Sequence, residues 1–447
     1  MRKEMNMLEG PIWNKILLFV LPLAATTILQ QLFNAADVAV VGQFVGKHAM
    51  AAVGSNAAIV GLIINLFNGI ALGSNVVIAR YIGQGQEDKI GKAVHTSVVF
   101  SVLGGTVMAV IGELVAGPLL VALDVPEEIY DLALLYLRIV FAGLPVVLLY
   151  NFESAIFRSR GDTKTPLIAL VLSGIINVGL NLFFVIAVRM SVAGVALATV
   201  ISNLLSASLL FVALVRRDDN LKISFRELKI DFRILSKIMK IGLPAGIQGS
   251  MFSIANIIIQ SAVNSLGADI VAASSAAFNI EILSYYIVNA FGQATTTFTG
   301  QNYGAGNIKR CRRIFAISLS MASGITLFVS AIIIAFGEKL LSLFNGEPEV
   351  IRIAMIRIIA IVGFEILNVL VDAPSGALRG YGKSVSPAVL SLVGICGVRI
   401  VWVYTVFAKN PTFDVLMAAY PISWIVTSTL IFIAYFIIIK RLTSAEK

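Results

Sequence analysis

The chain reads as an all-α membrane protein, with twelve transmembrane helices forming two parallel six-helix repeats around a central cavity. Three observations predict this. Of 447 residues, 58% are hydrophobic and only 13% are charged, with a mean hydropathy of +0.91, whereas a soluble domain carries about 25% charged residues. Apolar runs of spanning length, roughly 20 residues, occur twelve times. The two halves also coincide when one is slid along the other.

The predicted spans lie near 14–44, 50–80, 94–123, 132–158, 165–188, 193–215, 241–264, 271–301, 314–337, 350–379, 385–408 and 415–439. The runs are continuous rather than alternating, which excludes a barrel. The apolar run from Ile16 has no cleavage signature and continues as the first span. Cys311 and Cys396 make no disulfide framework, and His48 and His95 stand alone near helix ends, so no metal site is expected.

The formal charge of +9 is a topology signal rather than a nucleic-acid footprint. Lys and Arg crowd at the N-terminus, the even-numbered connections and the C-terminus. The odd-numbered connections hold only Lys47, Arg189, Lys339 and Lys409, while Arg138, Arg352, Arg357 and Arg399 fall inside spans. Both termini are therefore expected on the cytoplasmic side of a plasma (inner) membrane. The acidic connections Asp124–Asp131 and Asn345–Glu349 would face outward. The long polar stretch Arg216–Lys240 divides the chain, giving an N-lobe at 1–215, a linker at 216–240 and a C-lobe at 241–447. The linker is expected to be an amphipathic connector on the membrane surface.

An offset of 221 residues brings Gly46 onto Gly267, Glu128 onto Glu349, Gly161 onto Gly382 and Pro166 onto Pro387, with Gly83-Gln-Gly on Gly304-Ala-Gly. One further residue of gap aligns Leu21-Pro22 with Leu243-Pro244 and Asn34 with Asn256. Each half holds an even number of spans, so the halves run parallel, the arrangement in which transporters place substrate between rocking repeats. Gly83, Gly85, Gly304 and Gly306 would permit tight turns, and Pro166 and Pro387 suit the first turn of a helix.

Six acids remain in the spans: Asp37, Glu113, Glu153, Glu281, Glu365 and Asp372. An ionisable residue at that depth is a functional candidate by default. Glu113 lies near an outer helix end and is expected to reach water. Glu153 sits beside Arg158 and Arg160, which points to a structural ion pair. Asp37 is the first choice for a role in transport. Asn34 is one turn away and Gln30 two, and the fifth span adds Asn177 and Asn181, the sixth Thr199. Carboxylate, amide and hydroxyl oxygens are hard ligands for a small cation such as Na⁺. A buried carboxyl can instead carry a proton, and the amides and hydroxyl can equally be interhelical glue.

In the second half Glu365, Asn368 and Asp372 share a helix face, and Arg399 would neutralise one of the two acids or touch substrate. Glu281 has no sequence-local partner, which favours a direct part in binding a cationic compound. Aromatic rings can hold organic cations, so Phe33, Phe67, Tyr150, Phe152, Tyr285, Tyr286 and Phe291 are candidate cavity residues, with most phenylalanines facing lipid or core. No phosphate loop, HExxH or GxSxG motif is present, so nothing points to ATP hydrolysis or another enzymatic activity.

The segments Leu29–Gly42, Ala51–Gly54, Tyr150-Asn151 with Phe157–Pro166, Gly300–Gly306 and Ala377–Gly382 together resemble the multidrug and toxic compound extrusion (MATE) family over nearly the whole chain. The resemblance implies a V-shaped pair of lobes and drug efflux driven by inward H⁺ or Na⁺, with no other cofactor. It places Asp37, Asn177, Asn181 and Thr199 at the positions of an N-lobe cation site, to which Asn34 and Asn151 are added as candidates. Asn181 stands where many relatives carry a second aspartate, leaving Asp37 as the sole acid there. The seventh span lacks the acid of NorM-type members, so the chain looks closer to DinF-like and Gram-positive-type branches. Gln31, Tyr150, Glu281, Tyr285, Glu365, Asn368, Asp372 and Arg399 are the candidate substrate-facing residues from the intramembrane polar and aromatic groups. Expected partners are small organic cations and membrane lipids, with the chain acting as a monomer. A lipid-precursor flippase or narrow-substrate metabolite exporter is the alternative.

Overall fold

A helix in lipid must satisfy its own backbone, so apolar stretches of this length have one economical conformation. The computed structural model describes residues 5–344 and 346–444. The basic residues 1–4, Asn345 of the acidic loop and the tail 445–447 lie outside the described residues. The described chain is helical and contains no strand. Its helices are α1 (Ile12–Phe44), α2 (Lys47–Gly83), α3 (Glu87–Ala122), α4 (Glu127–Ala142), α5 (Leu144–Ser159), α6 (Lys164–Leu182), α7 (Ser191–Val215), α8 (Phe232–Asn264), α9 (Ala268–Gly304), α10 (Ile308–Ala335), α11 (Gly337–Leu341), α12 (Pro348–Val362), α13 (Glu365–Gly380), α14 (Val385–Ser391), α15 (Val398–Trp402), α16 (Phe413–Met417) and α17 (Ala419–Ser444). Eleven uninterrupted or gently broken segments can cross a bilayer, and the pair α4/α5, bent by 48°, makes the twelfth. Along α3, Leu103, Val107, Val110 and Leu114 are all exposed at helical spacing, a face built for lipid.

The repeat is written into the backbone. Gly46 and Gly267, Gly85 and Gly306, and Gly161 and Gly382 all have positive φ, so the same turns recur in both halves. Gly83 and Gly304, expected in those turns, instead close helices α2 and α9. Pro166 and Pro387 do sit in the first turns of α6 and α14. The fourth span breaks at Gly143, before Pro145, and its counterpart breaks at Gly363-Phe364. Wide π turns end the fifth span at Phe183–Ala187 and the eleventh at Val403–Phe407.

Contacts divide the chain into two units. The first contains Ala25–Gly246; the second contains Asn6–Ala24 and Ile247–Lys447. The opening half of α1 thus packs with the second unit, and the opening half of α8 with the first. Both divisions fall two residues beyond a proline inside a helix, Pro22 and Pro244. In the first unit α3 and α2 pack on α5, and α6 on α7; in the second, α9 packs on α13 and α10, and α13 on α17.

Within the first unit α8 crosses α2 through four glycines. A Cβ on Gly69 would stand 2.7 Å from the carbonyl carbon of Ala245, and one on Gly242 would stand 2.6 Å from Cα of Ile70. Small residues four apart let two backbones touch in this way. Gly69→Val is expected to cost about 3 kcal/mol or more, because backbone rather than a side chain must move. Gly54→Ala, with nothing within 4 Å, should be neutral. Thermal unfolding of the two purified variants checks both.

The linker docks on the first unit. Its part up to Asp231 is non-helical apart from one short turn at Phe225–Glu227, and 232–240 begin α8; Leu221 and Ile223 are fully buried in the first unit, while Phe225 and Phe232 are exposed. The Ser224 N–H donates to His95 Nε2 at 2.9 Å, and His95 Nδ1 lies 2.7 Å from the Gly91 carbonyl. The Asp231 N–H donates to Thr96 Oγ1 at 3.0 Å. His95, solitary in the sequence, is a docking point for the linker. Burial would push the Asp219 carboxyl up, but two hydrogen bonds from Arg217 with its charge, the Leu221 N–H and nearby Arg160 outweigh it and hold that group below its ordinary value.

Candidate functional site

A polar cluster around a buried acid of the first unit forms where α1, α6 and α7 meet. Gly174 on α6 faces Phe33 on α1, and a Cβ there would lie 2.6 Å from ring atom Cδ2. This close approach is one turn from Asn177 and Asp37, and it carries the following turn of α6 onto α1. Asp37 is only 6% exposed. The Asn181 amide donates to Asp37 Oδ1 at 2.5 Å and to Asn177 Oδ1 at 3.2 Å. The Thr199 hydroxyl lies 2.9 Å from Asp37 Oδ2 and 3.0 Å from the Val195 carbonyl, so its single proton serves one or the other. Asn181 Oδ1 is buried and has no hydrogen-bond partner. One carboxylate, two amide oxygens and a hydroxyl make a hard, singly charged donor set, suited to a proton or a monovalent cation. Among the described residues no three His, Cys, Asp or Glu side chains gather to hold a metal.

Other members of the sequence-derived set stand apart from this cluster. Asn34 is exposed, Asn151 and Gln31 are half-buried, and Tyr150 is buried in the core around α5. No hydrogen bond joins Asn34 or Asn151 to Asp37.

Three expectations are corrected, two of them in the second unit. Glu281 has a partner: Arg357 Nε and Nη2 donate to its two oxygens at 3.0 and 2.6 Å, both side chains being buried. Arg357 Nη1 also donates to Ser274 Oγ at 2.6 Å, and its guanidinium lies 5.9 Å from the Tyr420 ring centre. A carboxylate saturated in this way is a poor first choice for substrate. Arg399, expected to neutralise Glu365 or Asp372, pairs with neither. It donates to Ser423 Oγ and Asn256 Oδ1, each at 3.2 Å, and lies over the Tyr420 ring at 4.1 Å. Glu365 is buried and accepts from Asn368 Nδ2 at 2.9 Å, while Asp372 is half-buried against Gly292. Tyr285 and Tyr286 are half-buried, with ring centres 6.2 Å apart.

The third correction concerns Glu153, in the first unit. It is fully buried, and neither carboxylate oxygen has a partner. Arg158 turns its Nε to the Ser154 carbonyl at 3.1 Å, and Arg160 approaches Asp219 at 3.8 Å. Glu113 is half-exposed, as expected, and pairs with Arg138 at 2.9 Å.

Sequence reasoning missed Arg357, Ser274, Tyr420 and Ser423 as parts of one network. The signal for Arg357 was present, because a guanidinium inside a span demands a partner. Asn256 had surfaced only as the repeat counterpart of Asn34.

Two six-span repeats, each with a buried polar cluster, give the architecture of a polytopic membrane transporter. The family model MatE matches residues 22–183 and 244–405, once in each repeat. The chain belongs to the MatE family. It is 28% identical over 443 residues to the "Probable multidrug resistance protein YoeA" of Bacillus subtilis, covering 96% of this chain and 95% of that protein. It is 24% identical over 399 residues to the "FAD transporter" of Shewanella oneidensis, covering 88% and 87%. The fold matches the crystal structure of a MATE protein in complex with MaL6 at a TM-score of 0.92 and 24% identity, covering 99% of this chain and 100% of that one.

Proposed function

We propose that the chain is an ion-coupled exporter that moves small organic, often cationic, compounds out of the cell in exchange for H⁺ or Na⁺. The observation that carries this is the buried Asp37, bonded across three helices by Asn181 and Thr199. Occupancy of that carboxyl by a proton or a cation changes the charge at a helix junction, and a charge change biases a conformational equilibrium by its differential cost in the two states. The resemblance to a multidrug resistance protein supports the drug substrate. The charge pattern of the connections supports a cytoplasmic-membrane location with both termini inside.

The test is ethidium efflux from proteoliposomes under an imposed pH gradient and, separately, a Na⁺ gradient. Efflux that follows one gradient identifies the ion. No efflux under either, from folded protein, sinks the reading.

A second reading, narrow export of an anionic metabolite, is favoured by Arg399. This guanidinium is buried, and its hydrogen-bond partners, Ser423 and Asn256, are neutral. Competition of ethidium efflux by flavin nucleotides would support it.

A further inference from the structure

Glu153 has no place in the scheme above, yet it is the most completely enclosed acid of the first unit. It is 0% exposed, and no donor reaches Oε1 or Oε2. Its helix α5 packs on α2, α3 and α7, and Asn75 ties α2 to this turn by donating to the Ala155 carbonyl at 3.1 Å. The side chains around the turn, Phe152, Ile156 and Phe157, belong to the apolar core.

Among the described residues, no ionisable group of the neighbouring elements bonds to Glu153. Helix α7 carries none. On α2, Tyr81 accepts from Lys237 at 3.1 Å and Arg80 lies near the helix end. On α3, His95 is held between Gly91 and Ser224, with Glu87, Asp88, Lys89 and Lys92 in the turns before it and Glu113 paired to Arg138 of α4. Tyr136 of α4, Lys164 of α6, and Tyr150 and Arg158 of α5 itself make no hydrogen bond or ion pair to Glu153.

Position adds the second observation. Asp37 lies seven residues before the end of α1, which leads into the first connection. Glu153 lies six residues before the end of α5, which leads into the fourth. First and fourth connections emerge on opposite faces of the membrane, so the two carboxyls sit about 10 Å inside opposite ends of the same unit.

We propose that Glu153 is a second proton-binding site of the first unit, serving the membrane face opposite Asp37. A proton added to one carboxylate oxygen gives the neutral acid, which this packing accommodates. An unpaired carboxylate in the same place carries an uncompensated desolvation penalty, so the proton leaves when α2, α3, α5 or α7 shifts and admits water. Proton binding at Glu153 is thereby linked to the packing of this end of the unit. The proposal rests on the exporter reading for its transport arm only.

The experiment uses full-length protein carrying Glu153→Gln or Glu153→Met. Infrared spectra of wild type at neutral pH should show a protonated-carboxyl band absent from both variants. Both variants should fold, with Glu153→Met at least as heat-stable as wild type, since it removes an unpartnered polar group. Efflux should fall about 10-fold or more, and its pH profile should differ from that of wild type. A band unchanged by the substitutions overturns the proposal. So does wild-type efflux with a wild-type pH profile in either variant, or misfolding of both, which would make the carboxyl a structural tie. If wild type itself transports nothing, the exporter reading fails and the infrared arm decides Glu153 alone.

Discussion

Asp37→Asn should reduce gradient-driven export by about 100-fold or more while leaving the protein folded. Asparagine keeps the shape of the side chain. Its carbonyl oxygen can still accept from Asn181, and its amide can donate to Thr199, whose hydroxyl oxygen has free lone pairs. The network survives, but the group no longer takes up a proton or presents a negative charge to a cation. What is lost is the differential ion affinity that drives one lobe arrangement over another, and without it a gradient does no work. Thr199→Val, which removes one neutral hydrogen bond, should cost far less, about 10-fold at most. Efflux assays with matched protein amounts check both. Wild-type export by Asp37→Asn would remove Asp37 from the mechanism.

Glu281→Gln should act on stability before it acts on transport. The substitution leaves the Arg357 guanidinium buried without its counter-charge, a loss of about 3–5 kcal/mol. Arg357→Met should do the same from the other side. The double variant Glu281→Met with Arg357→Met should recover to within about 1 kcal/mol of wild type, because a well-packed apolar pair replaces the ionic one at little net cost. Chemical denaturation in detergent gives the cycle. If Glu281 instead binds substrate, Glu281→Gln would lower export with no loss of stability, and the double variant would not restore it.

The twelve spans, the internal repeat and the polar residues Asp37, Asn177, Asn181 and Thr199 were legible in the sequence because polar residues stand out against an apolar background and helical spacing is short-range, while the family resemblance joined the four into one site. Spacing four apart placed Asn177 and Asn181 on one face, and the structure joins them at 3.2 Å. Spacing fails where partners come from different helices. Glu281 and Arg357 are 76 positions apart, and no periodicity connects them. Asn34 shows the limit within one helix: three residues from Asp37, it is rotated by about 60°, enough to leave it exposed while Asp37 is buried. Glu153 shows a converse error, since arginines adjacent in sequence point to other acceptors.

The division of α1 and α8 between units bears on how the protein is made. A nascent chain that has emerged only as far as Val215 carries α2 with Gly69 and Gly73 facing no partner. The strand of helix that seats against them, up to Gly246, is synthesised only after the linker. The second unit in turn must incorporate Asn6–Ala24, which leaves the ribosome before Ala25–Gly246 of the first. Neither half can complete its own packing from its own stretch of sequence. Assembly in the bilayer is therefore obligatorily late, and separately expressed halves would each be missing a piece held by the other.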